Sequence, residues 1–339
     1  MHIVHLRRVA VLALTALTAA ISPSAFAAEA AGPVPGQARI RISTAYALPG
    51  DRVYPEGITT DPYTGALYAG SFHDGTIFKM TPGRRVAAEF LPAGADGRTA
   101  ALGLKIDRAR RLWAVDANAG VAVYDIPSRH LLARFDVPGN GARLVNDLAI
   151  APDGSAYITD SLRSVVYRVT PRQLARARER GGRAPLTPAF DLAGVLEPHE
   201  PGNTTLNGIV ADSAGRYLLT VDMAGGDLYR IGLSSGEVRK VALRGGDVWQ
   251  GDGMELRHGK LWVAHPIPDA NAISRWRITP SGRTATMELR IVDQTLQLPT
   301  TLLRENGRLY VVRSQFDKGG PVGPGTPHIP FTIAVVRGI

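Results

Sequence analysis

The segment QGDGMELRHGKLWV, residues 250–263, predicts a strand, a tight turn and a second strand. An apolar run turns at His258-Gly259 and returns as a strand that contains Trp262. Asp252 stands between two glycines at the head of the first strand, where the backbone is permissive. The same pattern recurs along the chain, and its recurrence decides the fold.

Five other segments share this pattern, and the six copies recur about every 45 residues, with one longer interval. Each copy has an apolar strand, a polar turn usually closed by Gly, and a second strand that usually carries an aromatic side chain. The first strands begin at Glu56, Leu102, Asn146, Asn207, Asp252 and Pro299 or Thr300. A repeat of this length, with about four short strands per unit, is typical of a β-propeller. We therefore predict an all-β fold, a six-bladed β-propeller.

The longer interval lies between the third and fourth units, at residues 171–205. Its first part, residues 171–180, has helix-forming composition and ends at Gly181-Gly182. We predict a short helical insertion here, which is either a surface excursion or a lid over the site. Residues 38–48 precede the first unit and are predicted to supply the outermost strand of the last blade, so that the ring has no free edge.

The first 27 residues have the pattern of a secretory signal peptide. Two arginines precede an apolar run, and Ala25 and Ala27 occupy the positions that a signal peptidase inspects. The run is shorter than the roughly 20 apolar residues that a transmembrane helix needs. We expect a protein secreted to the extracellular space or cell envelope, with a flexible lead-in at residues 28–37, a propeller domain at residues 38–339, and no integral membrane segment after cleavage.

Composition limits the partners of the chain. The chain has no cysteine and a formal net charge of +9, so its stability must come from core packing or a bound ion rather than disulfides. The arginines are scattered except in residues 172–183, and they do not interleave with aromatic side chains as single-strand nucleic-acid binding requires. We expect a small-molecule substrate, no nucleic-acid partner, and a monomer.

Four of the six strand heads carry side-chain oxygens: Glu56, Asn146, Asn207 and Asp252. Equivalent positions in a propeller converge on the axis of the central channel. Two carboxylates and two carboxamides form a set of hard ligands that suits Ca²⁺, Mg²⁺ or Mn²⁺. We predict one divalent cation here, with Ca²⁺ as the first choice and Mg²⁺, Mn²⁺ or Zn²⁺ as alternatives. The simpler interpretation is that Asn-Gly and Asp-Gly are common turn dipeptides.

The order and spacing of these dipeptides resemble the senescence-marker-protein/gluconolactonase family of six-bladed propellers. The likeness runs from about Tyr54 to Val311, and it rests on Glu-Gly at residues 56–57, Asn-Asp at 146–147, Asn-Gly at 207–208 and Asp-Gly-Met at 252–254. The resemblance implies hydrolysis of a lactone or related ester with the help of one divalent metal.

The resemblance also implies roles for individual residues. Glu56, Asn207 and Asp252 look like the metal ligands, and Asn146 looks like the further Asn that contacts metal-bound water or substrate. Asp252 would also be the general base. The metal would polarise the substrate carbonyl and activate water. Together, Asp252 and Asn146 are the candidate catalytic residues.

Three further residues are candidate substrate contacts: Arg143, His199 and Glu200. In the sugar lactonases of the family an arginine lies two residues before the Asn-Asp asparagine, whereas Arg143 lies three residues before Asn146. The acidic substrate contact that follows this motif in the family is also missing. The resemblance therefore supports the metal site more than it supports sugar specificity.

Other functions remain open. A non-catalytic propeller could bind a ligand or protein and use the ion for structure, because a fold alone does not confer function. A strictosidine-synthase-like condensing enzyme shares the architecture, but those enzymes do not rely on this four-residue set. Residues 232–236 match Gly-x-Ser-x-Gly. They lie between two predicted strands, so we interpret them as a hairpin turn and not as a nucleophile elbow.

Overall fold

The computed structural model describes residues 39–200 and 202–339. The predicted signal peptide and nearly all of the lead-in lie outside the described residues, and both remain predictions. The described residues form 26 β-strands, the helix α1 (Pro171–Glu179), and two short 3₁₀ helices at Ala95–Gly97 and Gln294–Leu296. No helix within these ranges is both long and apolar enough to cross a bilayer.

The strands form six antiparallel blades, numbered here in chain order. Blade 1 contains β2 (Pro55–Thr60), β3 (Leu67–Ser71), β4 (Ile77–Met80) and β5 (Ala88–Leu91). Blade 2 contains β6 (Leu104–Ile106), β7 (Arg111–Asp116), β8 (Gly120–Asp125) and β9 (Leu131–Asp136). Blade 3 contains β10 (Val145–Ile150), β11 (Ala156–Asp160), β12 (Val165–Val169) and β14 (Thr187–Asp191).

The second half of the chain repeats this arrangement. Blade 4 contains β15 (Leu206–Ala211), β16 (Tyr217–Asp222), β17 (Asp227–Gly232) and β18 (Val238–Lys240). Blade 5 contains β20 (Met254–Arg257), β21 (Lys260–His265), β22 (Ala272–Ile278) and β23 (Thr284–Val292). Blade 6 contains β24 (Leu302–Glu305), β25 (Arg308–Arg313), β26 (Phe331–Arg337) and β1 (Arg41–Leu48). The predicted six-bladed β-propeller is confirmed.

Blade 6 joins the two ends of the propeller domain. The strand β1 pairs antiparallel with β26, from Arg41 opposite Arg337 to Leu48 opposite Phe331. Leu48 is fully buried, so hydrophobic packing adds to the ladder of backbone hydrogen bonds. The prediction that this N-terminal segment supplies the outermost strand of the last blade is confirmed.

The insertion after blade 3 begins with the predicted helix. Thr170 caps α1, because its hydroxyl accepts the backbone N–H of Gln173 at 3.2 Å and the Gln173 side chain accepts the Thr170 N–H at 2.7 Å. Leu174 and Ala177 are buried in the apolar cluster shared by blades 2 and 3. The helix therefore packs at the outer edge of the propeller, and only the later part of the insertion returns toward the channel.

Two short strands each add a fifth strand to a blade. The strand β13 (Arg183–Pro185) pairs parallel with β9 and gives blade 2 a fifth strand. The strand β19 (Ala242–Arg244) does the same for blade 5 by pairing with β23. Residues 232–236 form the turn between β17 and β18, as predicted, with the Gly236 N–H donating to the Gly232 carbonyl at 2.8 Å.

The core lies between neighbouring blades. Apolar side chains from facing sheets form the buried clusters, and the tryptophans Trp113, Trp262 and Trp276 are fully buried within them. Two of the indole N–H groups are satisfied inside the core, by Asp107 at 2.9 Å and by Ser274 at 2.8 Å. This packing fixes the blades rigidly around the channel, and the functional side chains are presented by the innermost strands.

Candidate functional site

The six innermost strands, β2, β6, β10, β15, β20 and β24, contact one another in a closed cycle around the channel. We call the end of the channel where these strands begin the upper mouth, and the end where they finish the lower mouth. The heads of the six strands form the upper ring, which consists of Glu56, Leu102, Asn146, Asn207, Asp252 and Thr300.

Backbone hydrogen bonds hold neighbouring members of the upper ring at one level. The N–H of Gly103 donates to the Asn146 carbonyl at 3.0 Å, and the N–H of Gly253 donates to the Thr300 carbonyl at 2.7 Å. The Thr300 hydroxyl then donates to the Glu56 carbonyl at 3.0 Å, which links blade 6 to blade 1. The strand heads are therefore in register from blade to blade.

The residue after each ring member is glycine in four blades because the inner strands approach closely there. A Cβ at Gly57 would lie 2.1 Å from the Leu102 carbonyl oxygen, and one at Gly208 would lie 2.2 Å from the Asp252 carbonyl oxygen. Both distances are far shorter than any allowed contact. Glycine at these positions therefore serves the spacing of the blades, not only a turn.

The four predicted residues of the upper ring are buried, with 3–6% of each residue exposed: Glu56, Asn146, Asn207 and Asp252. One oxygen of each has no hydrogen-bond partner: Glu56 Oε2, Asn146 Oδ1, Asn207 Oδ1 and Asp252 Oδ1. Within residues 39–200 and 202–339, these four are the only buried carboxylate or carboxamide oxygens left without a partner. Leaving a polar atom buried and unpaired costs about 1–3 kcal/mol.

Local contacts turn both carboxamides so that the oxygen is the free atom. The Asn146 Nδ2 donates to Ser161 Oγ at 3.1 Å, and the Asn207 Nδ2 donates to Met223 Sδ at 3.4 Å. Because each amide nitrogen is engaged, the carbonyl oxygens are the acceptors that remain. Both carbonyl oxygens, like Glu56 Oε2 and Asp252 Oδ1, are therefore left without a donor.

The two carboxylates of the ring destabilise each other's charge. Burial raises the pKa of Glu56 well above its ordinary value of 4.5, and the negative charges of Asp252 and Asp147 raise it further. Burial likewise raises the pKa of Asp252, followed by the charge of Asp147, while the Gly253 N–H and the Asn207 carboxamide oppose the rise. A positive charge among these oxygens would relieve both effects.

Asp147 is a third carboxylate that the sequence did not single out. It takes the place that glycine has in the neighbouring blades, and burial raises its pKa. Its oxygens accept the N–H groups of Leu148 at 2.7 Å and Ile209 at 3.4 Å. Asp147 therefore bridges blades 3 and 4 and adds negative potential without offering a free oxygen. The sequence signal that could have identified Asp147 is an acid at the repeat position where four other blades have glycine.

The donor set fits a hard divalent cation. Two carboxylates and two carboxamide oxygens, all unpaired, match the oxygen ligands that Ca²⁺, Mg²⁺ and Mn²⁺ prefer. Zn²⁺ favours nitrogen and sulfur ligands, and the upper ring contains neither His nor Cys. A cation at this ring would be held by Glu56, Asn146, Asn207 and Asp252.

The predicted substrate contact Arg143 is engaged elsewhere. Its Nε donates to the Asn118 carbonyl at 2.7 Å and its Nη1 donates to the Gly139 carbonyl at 2.8 Å. These bonds join the loops of blades 2 and 3 at the exposed surface. These two bonds use two of the five N–H donors of the guanidinium and fix its position between the loops.

His199 lies at the upper mouth, in the last part of the insertion. Its Nε2 is 2.7 Å from Asp222 Oδ2. Asp222 ends β16 directly opposite Leu206, the residue before Asn207, so this pair lies on the same side of the propeller as the upper ring. Glu200 is exposed. The structure thus places His199, but not Glu200, in a defined contact at this face.

Equivalent aspartates show how unusual the His199 contact is. At the end of β7, Asp116 accepts the Thr99 N–H at 2.7 Å, and at the end of β11, Asp160 accepts the Leu144 N–H at 3.1 Å. Both bonds fix the chain just before an inner strand. In blade 4 the corresponding carboxylate binds the imidazole of His199 as well as the Gly225 N–H.

His265 has a structural role. It is fully buried, with Nδ1 2.9 Å from the Trp249 carbonyl oxygen and Nε2 2.7 Å from Ser274 Oγ. Burial lowers its pKa to about 4, so the imidazole is neutral. The contact to Trp249 anchors the loop that leads to Asp252.

Solved structures share this fold. A gluconolactonase from Xanthomonas campestris matches 88% of this chain and 89% of its own at 16% identity, with a TM-score of 0.59. Virginiamycin B lyase from Staphylococcus aureus matches 88% of this chain and 99% of its own at 12% identity, with a TM-score of 0.55. The aldose sugar dehydrogenase of Streptomyces coelicolor, bound to PQQ, matches 88% and 98% at 15% identity, with a TM-score of 0.54.

Neither a family model nor a curated protein matches the sequence. The structural similarities, at 12–16% identity, establish the fold and not the reaction. The neighbours are named as enzymes of three different reaction types, so the side chains at the channel mouth must decide among the activities.

Proposed function

We propose that this protein is a secreted hydrolase that cleaves a lactone or related ester and depends on one divalent cation held by the upper ring. The observation that carries the proposal is the set of four buried oxygens without partners, on Glu56, Asn146, Asn207 and Asp252. The gluconolactonase among the structural neighbours supports the reaction class.

The ring favours cation binding over a purely structural arrangement of hydrogen bonds. Two buried carboxylates whose pKa values are raised by burial and by nearby acids are unfavourable neighbours when both are charged. Two carboxamide oxygens face the same shortage of donors. A single divalent cation would satisfy all four oxygens and balance both carboxylate charges.

The cation and the side chains of the ring have different roles in the proposed reaction. A bound divalent cation supplies Lewis-acid stabilisation of the negative charge that develops on the substrate carbonyl oxygen. Asp252 accepts the proton of the attacking water on its carboxylate, which lies buried in the ring beside the proposed cation. Asn146 and Asn207 present neutral oxygens, which hold the cation without cancelling its charge completely.

The test is a hydrolysis assay across a panel of lactones and esters. The protein is stripped of metal with a chelator, and Ca²⁺, Mg²⁺, Mn²⁺ or Zn²⁺ is then restored. We expect activity only after a cation is added. Asp252→Asn keeps the shape of the side chain but removes the proton acceptor, so we expect a rate loss of about 100-fold or more.

Glu179→Gln is the matched control, because Glu179 is an exposed carboxylate on α1. It should behave as the wild type in every assay. Full activity of Asp252→Asn would contradict the catalytic role of Asp252. Tight cation binding with no hydrolysis of any lactone or ester would instead indicate a binding propeller with a structural ion, and the proposed reaction would be wrong.

A further inference from the structure

The lower mouth of the channel contains a second cavity, distinct from the upper ring. It has a volume of about 370 Å³ and is lined by residues from all six inner strands. Ala149 and the branched side chains of Val210 and Leu303 contribute apolar wall. Pockets of a few hundred Å³ with mainly apolar walls and a few placed polar groups are typical of small-molecule sites.

Three residues beyond the upper ring, the same strands supply a lower ring, which consists of Thr59, Lys105, Ala149, Val210, Glu255 and Leu303. All six line the cavity. Lys105 and Glu255 are its only charged members. They come from blades 2 and 5, which lie opposite each other in a ring of six. The lower ring therefore presents one cation and one acid across an otherwise uncharged channel.

Lys105 has no partner in the described part of the chain. Its ammonium forms none of the ion pairs or hydrogen bonds found in residues 39–200 and 202–339. The side chain is half-buried at the cavity wall. Its charge opposes the rise that burial causes in the pKa values of Glu56, Asp147 and Glu255. No carboxylate of the described residues contacts it directly, so the ammonium can bind an anion in the cavity.

Glu255 cannot serve as a full counter-charge. Its carboxylate accepts the backbone N–H of Arg304 and is largely buried. Burial raises its pKa to about 7, against the opposing effects of that N–H and of Lys105. The raised pKa weakens its negative charge near neutral pH, while Arg257 and Arg304 add positive charge and Glu305 adds negative charge at the cavity edge.

We propose that the lower mouth binds a small amphiphilic carboxylate, with the carboxylate group against Lys105 and the hydrocarbon part against the branched apolar walls. A cationic ligand would meet three basic side chains, which outnumber the two acids of the same lining, Glu255 and Glu305. An inorganic anion would leave the apolar walls without contact. The proposal does not depend on the hydrolase function of the upper ring.

The test is isothermal titration calorimetry of the full chain with octanoate. Octan-1-ol has the same hydrocarbon chain without charge, acetate has the charge without the chain, and inorganic phosphate is a purely polar anion. We expect saturable binding of octanoate and binding at least about tenfold weaker for the other three. Equal affinity for octan-1-ol, or for phosphate, would overturn the proposal, as would no saturable binding of octanoate.

Variants then locate the site. Lys105→Met keeps the apolar stem and should weaken octanoate binding at least about tenfold, whereas Lys105→Arg keeps the charge and should bind within a few-fold of the wild type. Lys79→Met, on β4 in blade 1, is the matched control. If Lys105→Met does not fold, octanoate binding is measured with Lys105→Arg and Glu255→Gln. Both variants retain the positive charge of the lower ring and should retain octanoate binding.

Octanoate could also reach the upper ring, since a carboxylate is the product class of ester hydrolysis. Binding is therefore repeated with Glu56→Gln in the presence of a chelator. Unchanged affinity places octanoate at the lower mouth. Loss of binding in Glu56→Gln, with normal binding in Lys105→Met, would place it at the upper ring and overturn the proposal.

Discussion

The upper and lower rings are built by the same six strands, three residues apart, yet they handle charge in opposite ways. The upper ring contains two acids, two carboxamides and no cation, and its four free oxygens have no donors. The lower ring contains one acid, which accepts a backbone N–H, and one cation across the channel from it. The same scaffold therefore holds one ring whose oxygens lack donors and one that contains a lysine.

A strand irregularity explains why both rings line the channel. Side chains alternate along a regular strand, so positions three apart would face opposite sides. The pairing register shifts at the strand heads of blades 1, 3 and 4. In blades 2 and 5 two residues share hydrogen bonds with one across the pair, Leu102 and Gly103 with Val115, and Asp252 and Gly253 with Ala264. Such a bulge resets the alternation, so that residues on both sides of it can face the axis.

The spacing between blades is the property on which both rings depend most. Gly57→Ala would place a Cβ 2.1 Å from the Leu102 carbonyl oxygen, which forces the inner strands of blades 1 and 2 apart. We expect a loss of about 3 kcal/mol or more in the free energy of unfolding. Chemical denaturation measures this loss, and cation binding at the upper ring should weaken in the same variant.

Gly194→Ala is the control for this change, because a Cβ there meets no atom within 4 Å. It should leave stability within about 0.5 kcal/mol of the wild type. If Gly57→Ala were equally harmless, the close approach of the inner strands would not be what holds the rings in register.

The proposed cation site of the upper ring is tested by Glu56→Gln. Loss of one carboxylate should weaken cation affinity by more than about 100-fold, or about 2.7 kcal/mol, since even residues behind the ligands contribute 10- to 100-fold. Calorimetric titration with Ca²⁺ measures the change. The same substitution removes a buried acid, so its effect on stability should depend on the cation.

Without a cation, the sign follows from the raised pKa of Glu56. An acid whose pKa is higher in the folded state stabilises the fold at low pH. That stability is lost as the pH rises from its ordinary value of 4.5 through the folded value. Chelated Glu56→Gln should therefore be at least as stable as the wild type at neutral pH. With saturating Ca²⁺ the wild type should become the more stable of the two proteins. If their order of stability were the same with and without Ca²⁺, the result would argue against a cation at this ring.

The sequence was sufficient for the blades and for the upper ring because both follow the repeat. Each strand, turn and strand is a local pattern, and matched repeat phase brought Glu56, Asn146, Asn207 and Asp252 to equivalent positions. The burial of all four was therefore predictable. Their roles as ligands remain a prediction.

Features outside the repeat needed the three-dimensional contacts. The engagement of Arg143 by two backbone carbonyls depends on loops of two blades. The pairing of His199 with Asp222 joins an insertion to a strand end. The lower ring escaped the sequence because strand alternation alone places Lys105 and Glu255 on the wrong face, and the bulge that corrects this has no simple signature.

The lower ring can be separated from the upper one by pH. Burial raises the pKa of Glu255 from 4.5 to about 7. The wild type should therefore lose stability as the pH rises from 4.5 through 7, by up to about 3 kcal/mol, and about 2 kcal/mol after allowing for solvent at the mouth. Glu255→Gln should lack this loss and exceed the wild type at pH 8. Chemical denaturation of both proteins is measured across this pH range with saturating Ca²⁺, so that the upper ring is in the same state throughout. If the stabilities of the two proteins changed with pH in parallel, the raised pKa would not belong to Glu255.

The smallest expected effect concerns the edge of the upper mouth. If His199 contacts substrate there, His199→Gln should lower kcat/KM by about tenfold, or 1.4 kcal/mol, while Ca²⁺ affinity stays unchanged. Asp222→Asn should act in the same direction, because Asp222 holds the imidazole at 2.7 Å. The double variant should then lose little more than either single one, since both changes disrupt one unit. Additive losses would mean that Asp222 acts on the fold of blade 4 and not through His199, whereas an unchanged kcat/KM in His199→Gln would confine the chemistry to the upper ring.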